Sequence, residues 1–240
     1  MPELVGLRKP YIQVRRTDSD CITYGGDQGF FGGAPVGSED ERKKNMGCGI
    51  IALADLFLYL ANKSEEYRTE KNRKYVNRIL TQEEYKKYYN VIYQFLGGIK
   101  AGAKGGLSCI RLQRSFNRMA HRNHWELRAK WGLRSKGLYD RIEEMLGKDI
   151  PVILCVPMML RKKDKPHGIV FYRKKNEEYS KACIVSAHYV VITGVIVEGE
   201  SKYLRISSWG EEYYVNWNEY DILIHTHFLG IILGNILYIR

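Results

Sequence analysis

In the run Asn45-Met46-Gly47-Cys48-Gly49-Ile50-Ile51-Ala52-Leu53-Ala54-Asp55-Leu56-Phe57-Leu58-Tyr59-Leu60, two glycines bracket a cysteine and an almost unbroken apolar segment follows. From Ile50 the residues are good helix formers, apolar on every side except at Asp55. A helix apolar all round belongs in the middle of a domain. A membrane span needs about 20 apolar residues; this run is shorter and carries a carboxylate. Cys48 is therefore expected where a loop becomes the N-terminus of a buried central helix. Gly47 and Gly49 permit a tight turn and close backbone approach. The partial positive charge of a helix N-terminus stabilises a thiolate and lowers a cysteine's pKa. Asp55, two turns further on, is read as a hydrogen-bonded structural carboxylate.

Outward from that run, the 240 residues suit one large domain or two small lobes. With 45% hydrophobic and 12% aromatic residues a substantial core is available, which excludes a disordered chain. Residues 1–16 show no apolar targeting segment, so the expected location is cytoplasmic. The five cysteines (Cys21, Cys48, Cys109, Cys155, Cys183) are scattered, with no CxxC. That argues against a disulfide framework and a structural zinc site, and the four besides Cys48 are read as inert core. No cofactor is expected. The net charge of +11 is uneven: between Ala101 and Lys136 nine Lys/Arg face one acid, Glu126. A second basic cluster spans Arg161 to Lys165.

Residues 1–44 read as loop, with the glycine-rich piece Tyr24-Gly25-Gly26-Asp27-Gln28-Gly29-Phe30-Phe31-Gly32-Gly33 anchored by its phenylalanines. Residues 64–100 read as helical, with Thr81 and Glu84 forming a capping box. Further helices are expected over 108–129 and 135–146. From Asp149 the period becomes that of strands: 150–156, 168–173, 183–197, 202–208, 213–217 and a region within 231–239. The expectation is an α+β fold, with a buried central helix in a helical part (about 45–147) packed on a C-terminal antiparallel sheet (about 149–240), forming a single domain over 1–240.

A thiolate nucleophile needs a base to take and return its proton, and histidine has a suitable pKa. His121 and His124 fall on a basic helix, His167 in a basic turn, and His225 and His227 further along. Only His188 opens a long apolar strand, Ala187-His188-Tyr189-Val190-Val191. The next strand ends Ser207-Ser208-Trp209-Gly210, where a third group could orient the imidazole.

These pieces together resemble the papain-like cysteine peptidases, in particular the compact bacterial branch that includes bacteriocin-leader-processing peptidases. The matching residues are Gly47-Cys48-Gly49, Ala187-His188-Tyr189-Val190-Val191 and Ser207-Ser208-Trp209-Gly210, the last similar to the family's Asn-Ser-Trp-Gly. The 140 residues from Cys48 to His188 fall within the separation of about 130–150 seen in papain-type enzymes. The resemblance implies a papain-like fold, Cys48 as nucleophile, His188 as base and Ser207 as orienting residue, with Trp209 shielding that bond. Two residues depart from the pattern. Ser207 stands where the family has Asn. Arg42 stands where the family has the Gln that completes the oxyanion hole, leaving Gln28 and Asn45 as alternative donors beside the Cys48 backbone N–H.

The implied function is cleavage of a peptide or amide bond through an acyl-enzyme, on a peptide or protein substrate. Two alternatives stand beside it. One is acyl transfer by the same Cys–His pair. The other is a catalytically inactive papain-like scaffold that holds an anionic partner on the basic helix 111–134, where Arg111, Arg114, Arg118 and Arg122 recur at helical spacing with Trp125. A solvated face is the plainer reading of that stripe. His121/His124 and His225/His227 have metal-compatible spacing but lack further ligands, and no metal is expected there.

Overall fold

The computed structural model describes residues 3–101, 105–132, 137–157, 168–226, 232 and 234–240. The basic cluster 161–165, together with Lys104, Arg134, Lys136, His167 and His227, lies outside these residues.

Strand β1 (Glu3–Gly6) is followed by β2 (Gln13–Arg15), β3 (Ile22–Tyr24) and a 3-10 turn at Gln28–Phe31. Helices α1 (Glu39–Met46) and α2 (Cys48–Lys63) come next, then β4 (Leu80–Thr81), α3 (Gln82–Phe95) and α4 (Cys109–Arg122). Beyond β5 (Ala129–Trp131) and α5 (Leu138–Gly147) run β6 (Val152–Val156), β7 (Ile169–Lys175), β8 (Glu178–Val185), β9 (His188–Glu198), β10 (Ser201–Ser208) and β11 (Glu211–Asn216). Helix α6 (Trp217–Thr226) and β12 (Ile236–Ile239) follow. The class is mixed α+β with a large antiparallel sheet, as the sequence pattern indicates.

The chain forms two compact units: Lys9–Ala129 with Ser208–Glu211 and Arg240, and Met1–Arg8 with Lys130–Ser207 and Glu212–Ile239. The expected boundary near 147–149 moves to Ala129/Lys130. Helix α5 goes with the sheet because its apolar side (Leu138, Tyr139, Ile142, Met145, Leu146) is buried there, packed on β1, β6, β9 and β12.

In the helical unit, α2 is the axis. Every residue from Gly49 to Ala61 is buried, and α3 and α4 pack against it. Each large apolar side chain taken out of water there is worth about 1.5–3 kcal/mol. What precedes Cys48 is a helix, not a loop. Helix α1 is capped by Ser38, whose Oγ accepts from the Glu41 N–H, and carries acids in its first turn and lysines in its last. Charge and capping fit the helix dipole, but no apolar stripe announces the helix in the sequence. It meets α2 at 78° through Gly47 alone. Residues 64–100 are not one helix: two 3-10 turns, Glu65–Tyr67 and Arg73–Tyr75, and β4 precede α3. The Thr81/Glu84 capping box opens α3 as expected.

The basic helix expected over 111–134 stops at Arg122. Asn123 caps it, His124 takes a left-handed φ of 55°, and the Trp125 N–H donates to the Ala120 carbonyl. This is a Schellman stop. Helix α3 ends the same way through Gly97 and Gly98, and α5 through Asp149 and Ile150.

In the sheet unit the strand order is β5-β12-β6-β9-β10-β11-β7-β8, with β1 also on β9. Strand β9 is long enough to hold two partners in succession on one edge: β6 pairs with His188 to Ile192, and β1 with Gly194 to Val197. The single strand expected over 183–197 is two strands. Ser186 and Ala187 break it, Ala187 with φ 53°. Among the described residues no single helix is long and apolar enough to cross a membrane.

Candidate functional site

Cys48 is the first residue of α2 and is half-buried, behind the N-cap Gly47. Gly47 has helical φ, so its role is close approach and not a left-handed turn. A Cβ there would lie 2.2 Å from the Lys43 carbonyl oxygen and 2.5 Å from the Tyr89 hydroxyl. The Ile50 and Ile51 N–H groups both donate to the Gly47 carbonyl, at 2.9 and 3.0 Å. Gly106 packs as tightly against the Met46 carbonyl, where a Cβ would come within 2.7 Å. The backbone leading into Cys48 is thus clamped from α3 and from the 105–108 loop.

Gln28 is buried, and its Nε2 donates to the Lys44 carbonyl at 2.7 Å. The intervening residues form α1, so the glycine-rich loop is brought to the last turn before Cys48. Asn45 is exposed on α1. Of the two candidate oxyanion donors, Gln28 is the one held by the fold. Asp27 fixes the same loop by accepting from the Gly29 N–H at 2.7 Å and from Arg16 at 2.5 Å.

Asp55 is a buried, hydrogen-bonded carboxylate, as read from the sequence. Tyr85 Oη donates to Oδ1 at 2.6 Å, and the Gly26 N–H and Tyr11 Oη donate to Oδ2 at 2.9 and 3.2 Å. Burial raises its pKa to about 6, partly offset by those donors. None of the three donors carries a sequence signal toward Asp55, because they come from different segments.

Two further groups near Cys48 escaped sequence reading. Lys43 is buried beneath ion pairs to Glu39 and Asp40, both at 2.8 Å, and sits 4.9 Å from the Tyr93 ring centre. Burial alone would lower its pKa, but the hydrogen bonds to Asp40 and Glu39 outweigh that and raise it. Tyr89 is fully buried, and its hydroxyl has no hydrogen-bond partner among the described residues. Burial raises its pKa, and Tyr93 and Cys48 add to that.

In the sheet unit His188 opens β9 opposite Val156 of β6, directly after the left-handed Ala187. It is 8% exposed and its ring centre lies 6.5 Å from that of Phe171. Burial pushes its pKa down to about 4, so the ring stands neutral at pH 7 and able to accept a proton.

Ser207 is buried on β10, opposite Val191. That is three residues along β9 from His188, about 10 Å at ~3.3 Å per residue, and an odd offset turns the two side chains to opposite faces. The register therefore counts against Ser207 as the group that orients the ring. Asn216, in the next strand, caps α6: its Oδ1 accepts from the Asn218 and Glu219 N–H groups. Asp221 faces His225 across 3.4 Å.

Trp209 is half-buried, and with Gly210 it forms the two-residue turn between β10 and β11, with φ of 49° and 74°. These are the signs of a type I′ hairpin turn. A bulky residue in that region carries strain of order 1–3 kcal/mol. Gly210 is bonded in both directions to the glycine-rich loop: the Tyr24 N–H donates to its carbonyl at 2.7 Å, and its N–H donates to Gly26 at 3.1 Å.

The other cysteines are not uniformly core. Cys155 is buried and Cys109 half-buried, but Cys21 and Cys183 are exposed. Strand β8, which carries Cys183, is a sheet edge and is largely open to water.

The arginine stripe is partly structural. Arg111 donates to the Leu96 and Gly98 carbonyls, and Arg118 to the Phe95 carbonyl, so both cap the C-terminus of α3. Searches against protein-family models, curated proteins and solved structures returned no match to this chain.

Proposed function

We propose that the chain is a papain-like thiol hydrolase acting on a peptide or amide bond. Cys48 Sγ attacks the carbonyl carbon while His188 takes the thiol proton. The tetrahedral oxyanion is met by Gln28 and the Cys48 backbone N–H. Collapse expels the amine, which leaves with the proton from His188, and a thioester remains on Cys48. Water, deprotonated by His188, attacks the thioester and releases the acid and the thiol. Transfer to an amine acceptor would share every step up to the thioester.

The observation that carries this reading is the Gln28–Lys44 bond. It ties a buried amide to the turn immediately before a cysteine that begins a buried helix, although the sequence separates Gln28 from Cys48 by a whole helix. The depressed pKa of His188 has burial as its cause; a neighbouring thiolate favours the charged imidazole and raises it.

Alkylation with iodoacetamide at about pH 5.5, mapped by mass spectrometry, tests the proposal. An ordinary thiol (pKa ~8.5) is about 0.1% thiolate there, so the exposed Cys21 and Cys183 should remain unmodified while Cys48 reacts. His188→Ala should slow Cys48 at least tenfold. If Cys48 reacts no faster than Cys21 and Cys183, there is no activated nucleophile. The second reading, an inactive scaffold, draws on Ser207, which replaces the family's Asn and sits out of register with His188.

A further inference from the structure

Between α2, α3, the C-terminal end of α4 and the 69–72 loop, the helical unit holds a cavity of about 380 Å³. That is within the range of small-molecule sites, about 300–1,000 Å³. Phe57, Tyr88 and Trp125 in its wall are buried, and Phe95 is half-buried beside them. The rim carries the exposed cations Lys71 and Arg122 against one acid, Glu70. Arg122 is held over the Phe95 ring, 5.3 Å from its centre.

Trp125 is 8% exposed, and its indole Nε1 has no hydrogen-bond partner among the described residues. Buried tryptophan N–H groups normally find an acceptor, and an orphaned one costs about 1–3 kcal/mol. Rings 5.6 to 6.5 Å away, those of Tyr67, Phe57 and Phe116, surround this indole. It is seated by aromatic packing with its Nε1 sealed away, so the indole serves the cavity wall by its ring and not by its N–H.

We infer that this cavity binds a small aromatic anion, with its flat body against Phe95 and the apolar wall and its acidic group held by Arg122 at the rim. The wall chemistry selects the two parts separately. Aromatic side chains reward a planar apolar body through edge and offset contacts. A guanidinium at the rim rewards a planar acidic group. The site is independent of Cys48: no residue in its wall belongs to the proposed catalytic set.

The test is fluorescence titration of the full chain with 8-anilinonaphthalene-1-sulfonate, an aromatic anion, and with N-phenyl-1-naphthylamine, its uncharged analogue. The anion should bind saturably at one site per chain, about tenfold tighter than the analogue, and more weakly as salt rises. Arg122→Met, at an exposed position, should erase that preference while leaving the melting temperature unchanged. Equal affinity for the two dyes, non-saturating binding, or anion affinity untouched by Arg122→Met would each overturn the inference.

Discussion

At Asp55 three donors converge on a carboxylate shut away from water, and its pKa rises from 3.8 to about 6. The folded chain thus holds a proton there that the unfolded chain releases. The stabilisation is complete below pH ~4 and is lost as pH rises through 6. At ~1.36 kcal/mol per pKa unit the swing is about 3 kcal/mol. Urea titrations at pH 4, 5, 6 and 7 should show wild type gaining about that much on Asp55→Asn as the pH falls. A constant difference would mean that Asp55 does not titrate as described. His188 has the opposite sign: its depressed pKa gives stability that is complete above pH ~6.5 and lost as pH falls through 4. At Ser207, which pairs with Val191 and not with His188, the register leads us to expect that Ser207→Ala leaves the rate of Cys48 alkylation within about twofold. A tenfold loss would restore its orienting role. Cys48, Asp55 and His188 were legible because each interrupts or opens an apolar run. Tyr89 and Lys43 were not, because a tyrosine in a tyrosine-rich helix and a lysine in a charged one carry no such contrast.

Among the elements, the α1–α2 junction is the least tolerant of change. Alanine normally improves a helix over glycine by ~1 kcal/mol. At Gly47, however, a Cβ meets a carbonyl and a buried hydroxyl at distances real Cβ atoms do not reach. Gly47→Ala should therefore destabilise by several kcal/mol, read as a drop in melting temperature; a neutral or stabilising result would show that α1 and Tyr89 can give way. Arg111 and Arg114 are one helical turn apart, yet should differ in effect. Arg111→Ala removes two bonds to the carbonyls at the end of α3 and should cost about 1–2 kcal/mol in urea unfolding. Arg114→Ala should fall within ~0.5 kcal/mol. Equal costs would mean that the stripe acts through charge alone. Helix α2, the capping box and most strands followed from periodicity and caps. Helix α1 did not, since its charge and cap, and not apolar spacing, define it. The break at Ser186-Ala187 was hidden because apolar residues continue through it.

For the whole molecule, the units are drawn from interleaved segments, and a cut at one point leaves neither complete. Residues 130–240 lack β1, which pairs with β9 from Glu3↔Val197 to Gly6↔Gly194. Expressed alone, that fragment should aggregate through the exposed edge of β9, and a peptide of residues 1–8 supplied in trans should raise its soluble fraction. A soluble, cooperative fragment unaffected by the peptide would show β1 to be dispensable. The same pairing governs events during synthesis. Strand β1 leaves the ribosome roughly 190 residues before its partner on β9, a delay of about 10–40 s at ~5–20 residues per second. Residues 9–129 have emerged by then, so most of the helical unit can form while β1 waits. The sheet unit closes only afterwards, and β1, made long before β9, is among the last strands to be seated.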